Sequence, residues 1–180
     1  MSANQFGTVG IIGAGLIGAS LGLALKQAKV VHQMIGVGRS ASNLDQALKI
    51  GAIDRVADLA DAVRSSQWIV VCVPVAQMRA IFTQMEPHLG PNTLITDAGS
   101  TKCDVILAAK ETLGKKVCQF VPAHPIAGGA QHGAAAARAD LFQDKQTIIC
   151  QLQENSVADV ALVEQFWMTV AHISIMLKRH

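Results

Sequence analysis

An apolar, β-branched run enters Gly13-Ala14-Gly15-Leu16-Ile17-Gly18 and leaves it as helix-forming residues, so residues 8–25, TVGIIGAGLIGASLGLAL, read as strand, glycine turn and helix. Each glycine has its own task in such a unit. Gly13 allows a tight turn, Gly15 lets a diphosphate approach backbone N–H groups, and Gly18 lets the helix lie against the strand. The helix N-terminus then faces the anion with its unpaired N–H groups and the positive end of its dipole. Glycine turns are common, but one placed between a strand and a helix points to a dinucleotide site.

The same stretch has the apolarity of a membrane span or a secretory signal. Neither fits, because no Lys or Arg precedes it and glycines at 10, 13, 15, 18 and 22 punctuate it. The 180 residues suffice for one domain with a substantial core, expected over 1–180. With 15 Lys and Arg against 13 Asp and Glu, a net charge of +2 and no block of like charge, a nucleic-acid partner is not expected. Cys72, Cys103, Cys118 and Cys150 are widely spaced and include no CxxC pair. Neither a metal site nor a disulfide framework is suggested, and buried, reduced thiols in a cytoplasmic protein are the expectation.

Further along, short apolar runs alternate with helical patterns. Strands are expected over 9–12, 34–37, 68–73, 94–96, 117–121, 147–150 and 172–177, with a short strand or turn between 52 and 61. Helices are expected over 16–28, 41–50, 75–85, 103–113, 134–140 and 156–170, the last with Ser156 as N-cap. Such alternation predicts an α/β fold built on a doubly wound, mostly parallel sheet. Ligands of these sheets sit beyond the C-terminal strand ends. Five loops would line that rim: the glycine turn, Gly38-Arg39-Ser40, Val73-Pro74-Val75, residues 97–102 and residues 124–129.

An NAD site usually has a carboxylate about 20 residues beyond the glycine turn to accept hydrogen bonds from the ribose. Here the corresponding Gly38-Arg39-Ser40 offers space, a guanidinium and a hydroxyl, which suit a 2′-phosphate. NADP is therefore preferred over NAD, with Arg39 as a solvated surface charge the alternative. Candidate cofactor-binding residues are Gly13, Gly15, Leu16, Ile17, Gly18, Arg39, Ser40, Val73, Pro74 and Gly99. His124, in a loop rich in Pro and Gly, is either a structural imidazole or a base able to take a proton from a substrate hydroxyl. Ser100 and Lys102 share a turn at a strand end, where capping and solvation compete with contact to substrate or nicotinamide. Asp97 is read as fixing its loop by accepting backbone N–H bonds.

The segments GIIGAGLIGASLGLAL, WIVVCVPV, DAGSTK and AHPIAGG, in this order, resemble the prephenate/arogenate dehydrogenase family of tyrosine biosynthesis. The resemblance covers nearly the whole chain, and DxGSxK with HPxAG is far more specific than the glycine turn. It implies a Rossmann-type NAD(P)-binding domain and an oxidative decarboxylation of a small-molecule substrate, prephenate or arogenate. His124 would be the catalytic histidine, bonded to the ring hydroxyl, and Ser100 would help position that hydroxyl and the nicotinamide. Many members carry an acidic residue soon after HPxAG, where this chain has Gly129-Ala130-Gln131. The resemblance also implies a following helical domain that completes the pocket and forms a homodimer, expected to be absent here because the chain stops near the domain junction. Two other readings stay open: a β-hydroxyacid dehydrogenase or imine reductase on the same cofactor domain, and a non-catalytic NADP-binding module.

Overall fold

The computed structural model describes residues 4–171 and 173–178. Its central sheet is parallel throughout, with β1 (Thr8–Ile12), β2 (Gln33–Val37), β3 (Arg55–Val56), β4 (Trp68–Val71) and β5 (Leu94–Asp97) in the order β3-β2-β1-β4-β5. Helices α1 (Leu16–Gln27), α2 (Ala41–Lys49), α3 (Leu59–Ser65), α4 (Val75–Met85) and α5 (Lys102–Thr112) make the connections. This is the expected doubly wound α/β arrangement, whose order reverses between β1 and β4.

The apolar strand sequences follow from burial on both faces. Side chains alternate across the sheet, so Trp68 and Val70 join one core while Ile69 and Val71 join the other. The first core takes Leu21 of α1 and Leu44 of α2, and the second takes Met78 and Phe82 of α4 and Val105 of α5. Pro74 precedes α4, and Gly51, at φ +75°, follows the C-terminal turn of α2. Among the described residues, no helix is long and apolar enough to cross a membrane.

Three strands lie outside the central sheet, although a single sheet had been expected to hold all of them. β6 (Ala123–Pro125), β7 (Gln146–Gln151) and β8 (Ile173–Lys178) form a second sheet in which β6 and β7 are antiparallel and β7 and β8 parallel. Helix α6 (Val157–Ala171) crosses between β7 and β8, and Ser156 Oγ accepts the Asp159 N–H at 3.0 Å as its cap. The two sheets share a core. Phe166 of α6 stacks on Trp68 of β4 at a centroid distance of 4.8 Å, Phe6 packs edge-on to both, and Trp167 Nε1 donates to Thr96 Oγ1 of β5 at 3.1 Å.

Residues 117–121 are not the expected strand. A 3₁₀ helix over Gly114–Gln119 occupies most of that stretch, and among the described residues one isolated bridge, Ile95 to Phe120, joins it to β5. The Asn155 side chain explains the difference: its Nδ2 donates to the carbonyls of Cys118 at 3.0 Å and Phe120 at 2.9 Å, bonds that a neighbouring strand would otherwise supply. The expected helix over 134–140 shrinks to one turn, Ala134–Ala136. Gly133 enters it at φ +82°, and the Arg138 N–H leaves it to donate to Ser20 Oγ of α1 at 3.0 Å. Cys103 and Cys118 are exposed, against the expectation of buried thiols. Of the residues 172–177 expected as a strand, His172 lies outside the described residues.

Candidate active site

At the point where strand order reverses, a cleft opens beyond the C-terminal ends of β1 and β4, which stay paired up to Ile12 and Val71. Gly13 follows β1 at φ +103°, a conformation that favours glycine, and a Cβ there would meet the Cys72 carbonyl oxygen at 2.8 Å. Gly18 lies behind the turn, where a Cβ would stand 2.2 Å from the Gly13 carbonyl oxygen. It supports the turn and does not line the cleft. Gly15 is different in kind: a Cβ there would meet nothing within 4 Å. The protein leaves empty the space in front of Gly15, the N-cap of α1, and no side chain caps that helix. Unpaired first-turn N–H groups facing an open cradle suit a diphosphate, so these residues fit a dinucleotide.

Two cavities continue from this cradle and share Gly15, Cys72, Val73 and Pro74 in their walls. One, of about 590 Å³, runs past the end of β2 and is bounded by Gly13, Arg39, Ser40 and Asn43. Ser40 caps α2 by accepting the Asn43 N–H, and its hydroxyl lies 3.0 Å from that of Ser42. Arg39 is exposed at this mouth. The other, of about 500 Å³, passes Leu16 and Ile17 to Gly99, Ser100, His124 and His132. Every candidate site residue except Gly18 thus borders one continuous cleft.

Asp97 ends β5 wholly buried. Its Oδ2 accepts the Gly99 N–H at 2.8 Å and an N–H of the Lys102 ammonium, while its Oδ1 accepts the Ala123 N–H at 3.0 Å. Asp97 therefore fixes its loop through backbone N–H bonds, as expected. Lys102 was expected at a solvated or ligand-facing position, but only 11% of its side chain is exposed, and its Nζ donates to the Ala123 carbonyl at 2.5 Å. Burial pushes the Asp97 carboxyl above its ordinary range, opposed by Lys102 and the two amide donors, and pushes the Lys102 ammonium below its own, opposed by Asp97. Burial, and after it the Lys102 charge, holds the His124 imidazole below its ordinary value, with Asp97 offsetting part of the effect. At neutral pH the imidazole is therefore neutral and can accept a proton. Burial also pushes the Cys72 thiol far up, so it stays protonated.

Two cleft residues carried no motif, His132 and Asn43, the latter acting across the fold with its Oδ1 accepting the Ala134 N–H at 3.2 Å over a separation of 91 residues, and the inward turn of Lys102 to Ala123 was neither of the two roles expected of it. Only for Lys102 was there a signal, since it stands at the final position of DAGSTK. Among the described residues, no group of three or more His, Cys, Asp or Glu is placed to hold a metal ion.

Residues 21–175 match the family model for the nucleotide-binding domain of prephenate dehydrogenase. The chain is 32% identical over 179 residues to the cyclohexadienyl dehydrogenase of Zymomonas mobilis, an alignment covering 97% of this chain and 60% of that protein. The crystal structure of Synechocystis arogenate dehydrogenase superposes with a TM-score of 0.85 at 25% identity, covering 95% of this chain and 59% of the other. A prephenate dehydrogenase from Aquifex aeolicus, in complex with hydroxyphenyl propionate and NAD+, shares the fold with a TM-score of 0.86 at 23% identity, covering 99% of this chain and 60% of the other. The chain spans about three fifths of the length of these relatives. It belongs to the prephenate dehydrogenase family and carries that family's nucleotide-binding domain.

Proposed function

We propose that this chain is the dinucleotide-binding and catalytic part of an enzyme that oxidatively decarboxylates prephenate or arogenate, with NADP preferred over NAD. The observation that carries the reading is the placement of a neutral imidazole, His124, and the Ser100 hydroxyl on one cavity wall that continues into the Gly15 cradle. Gly13, Gly15 and the N-terminus of α1 would hold the diphosphate, with Leu16, Ile17, Val73, Pro74 and Gly99 along the walls. When bound, the dinucleotide supplies a hydride acceptor. His124 accepts the proton of the ring hydroxyl as the carbon bearing it loses hydride. Loss of the ring carboxylate as carbon dioxide then returns the electron pair toward that oxygen, and the same imidazole gives back its proton to the phenol. Ser100 orients the hydroxyl. Each protein step is a short-range proton transfer or a hydrogen bond, which a neutral, half-buried imidazole is suited to perform.

NAD+ is the dinucleotide in the Aquifex relative, so the preference for NADP rests on Gly38-Arg39-Ser40 alone. Support comes from the exposed guanidinium at the mouth of the first cavity and from the Ser40 and Ser42 hydroxyls beside it. A guanidinium pairs well with a phosphate.

The deciding experiment is His124→Asn in the full-length protein, assayed with both substrates and both cofactors. Turnover is expected to fall by about 10²- to 10⁴-fold while cofactor affinity holds. Unchanged turnover removes His124 from the chemistry. A wild-type protein that binds the dinucleotide but turns over neither substrate favours a non-catalytic module.

A further inference from the structure

The groups assigned to catalysis come from different sheets. Ser100 follows β5 of the central sheet, and His124 lies in β6 of the second sheet. Direct backbone pairing between the two regions is sparse: among the described residues one isolated bridge, Ile95 to Phe120, precedes them. At the catalytic level the junction is made by side chains. Asp97 takes the N–H of Gly99, next to Ser100, and the N–H of Ala123, next to His124. Lys102 reaches the same junction from α5, donating both to Asp97 and to the Ala123 carbonyl. The peptide groups on both sides of Ala123 are thereby fixed by two buried charged side chains. Gly99 is closely packed against the same carboxylate, since a Cβ there would lie 3.0 Å from Asp97 Oδ2 and 2.9 Å from Met78 Cε.

We propose that Asp97 and Lys102 form a positioning pair, in which one buried carboxylate–ammonium contact holds Ser100 and His124 in register across the junction of the two sheets. This rests on His124 being the proton acceptor proposed above. A purely structural tie would be served more cheaply by an apolar contact, since buried ion pairs often add little net stability. What the pair supplies is direction. Its donors and acceptors meet particular backbone atoms, and its cation stands where it opposes protonation of the imidazole until a substrate proton is offered. Among the described residues, Cys72, its thiol held protonated, and His132 line the same cavity as His124, and Cys150 acts on Lys102.

The test combines nuclear magnetic resonance of the His124 ring nitrogens in this chain with turnover in the full-length protein. The six histidines are told apart by comparison with His124→Gln. Lys102→Met is expected to raise the His124 titration midpoint, to move the Gly99 and Ala123 amide resonances, and to lower kcat at least tenfold with the cofactor KM unchanged. Lys102→Arg is expected to restore the midpoint and most of kcat. The double variant Asp97→Asn, Lys102→Met has no uncompensated buried charge and covers the case in which the single change prevents folding. It is expected to fold and to keep the kcat deficit. An unmoved midpoint with unmoved amides in either Met variant, or full kcat in the double variant, overturns the proposal. Because the resonance readout needs no turnover, it stands or falls apart from the assigned reaction: a moved midpoint in an inactive wild-type protein rejects the reaction and keeps the pair.

Discussion

Asp97 and Ala123 are 26 residues apart in the chain, yet the carboxylate Oδ1 of the first accepts the backbone N–H of the second at 3.0 Å, with both residues wholly buried. That contact bears Ser100 on one side and His124 on the other, and it depends on Lys102 to balance the charge.

Removing the balance has a thermodynamic signature. Lys102→Met leaves a buried carboxylate unpaired and is expected to destabilise the fold by about 3–5 kcal/mol. Each kcal/mol lowers the thermal midpoint of a domain this size by roughly 2–4 °C. In a double-mutant cycle with Asp97→Asn, the double variant is expected to be more stable than the sum of the single losses predicts. Additive losses measured by denaturant unfolding would show that the two charges are not coupled.

The protonation of His124 fixes the sign of the pH dependence. In the proposed reaction the neutral imidazole is the working form, and its midpoint is held below the ordinary 6.5. We therefore expect kcat/KM to rise with pH through a midpoint below 6.5 and to be level at neutral pH. The folded state takes up this proton less readily than the unfolded chain does, so the contribution to stability is present above 6.5 and lost as pH falls through the folded midpoint. An acid limb centred above 6.5 would contradict the assignment.

Two glycines in one turn separate folding from binding. Gly18→Ala places a methyl group 2.2 Å from the Gly13 carbonyl oxygen and 2.7 Å from Ile11 Cγ2, and is expected to destabilise the fold by about 1–3 kcal/mol. Gly15→Ala meets no protein atom within 4 Å and is expected to alter stability by less than about 1 kcal/mol. Its methyl group fills the cradle, so dinucleotide affinity is expected to fall at least tenfold, equivalent to about 1.4 kcal/mol. Thermal melting and cofactor titration of the two variants check both halves.

Arg39→Ala tests the choice of cofactor. The exposed guanidinium is expected to contribute only where a 2′-phosphate is present, so NADP affinity should drop about tenfold or more while NAD affinity stays level. Parallel calorimetric titrations measure both. Equal losses for the two dinucleotides would assign Arg39 to a general charge effect.

Local patterns gave most of this architecture. The apolar run of β1, the proline before α4 and the Gly51 stop after α2 each act within a few residues, and the structure has those elements where their sequences put them. The strand expected over 117–121 failed because Asn155, far along the chain, takes the carbonyls that would have paired. The helix over 134–140 failed because the Arg138 N–H, which a continuing helix would give to Ala134, goes to Ser20 of α1. The cleft residues were legible where a backbone requirement left a mark, as at Gly13 and Gly15. Lys102 was legible as a residue but not as a partner, since nothing local tells that its ammonium turns inward to Ala123. Contacts at long separation decide such cases, and one sequence does not display them.

The aromatic cluster joining the sheets determines how the protein comes apart. Phe6 precedes β1, Trp68 opens β4, and Phe166 and Trp167 lie on α6, so one packed group draws on the beginning, middle and end of the chain. Trp167 is wholly buried and bonded to Thr96 of the opposite sheet. Loosening α6 would strip the cover from one face of β4 and β5, leaving neither sheet with a finished core. Melting should therefore be a single cooperative event. A chain cut before α6 would be an opened core prone to self-association and not a smaller stable domain.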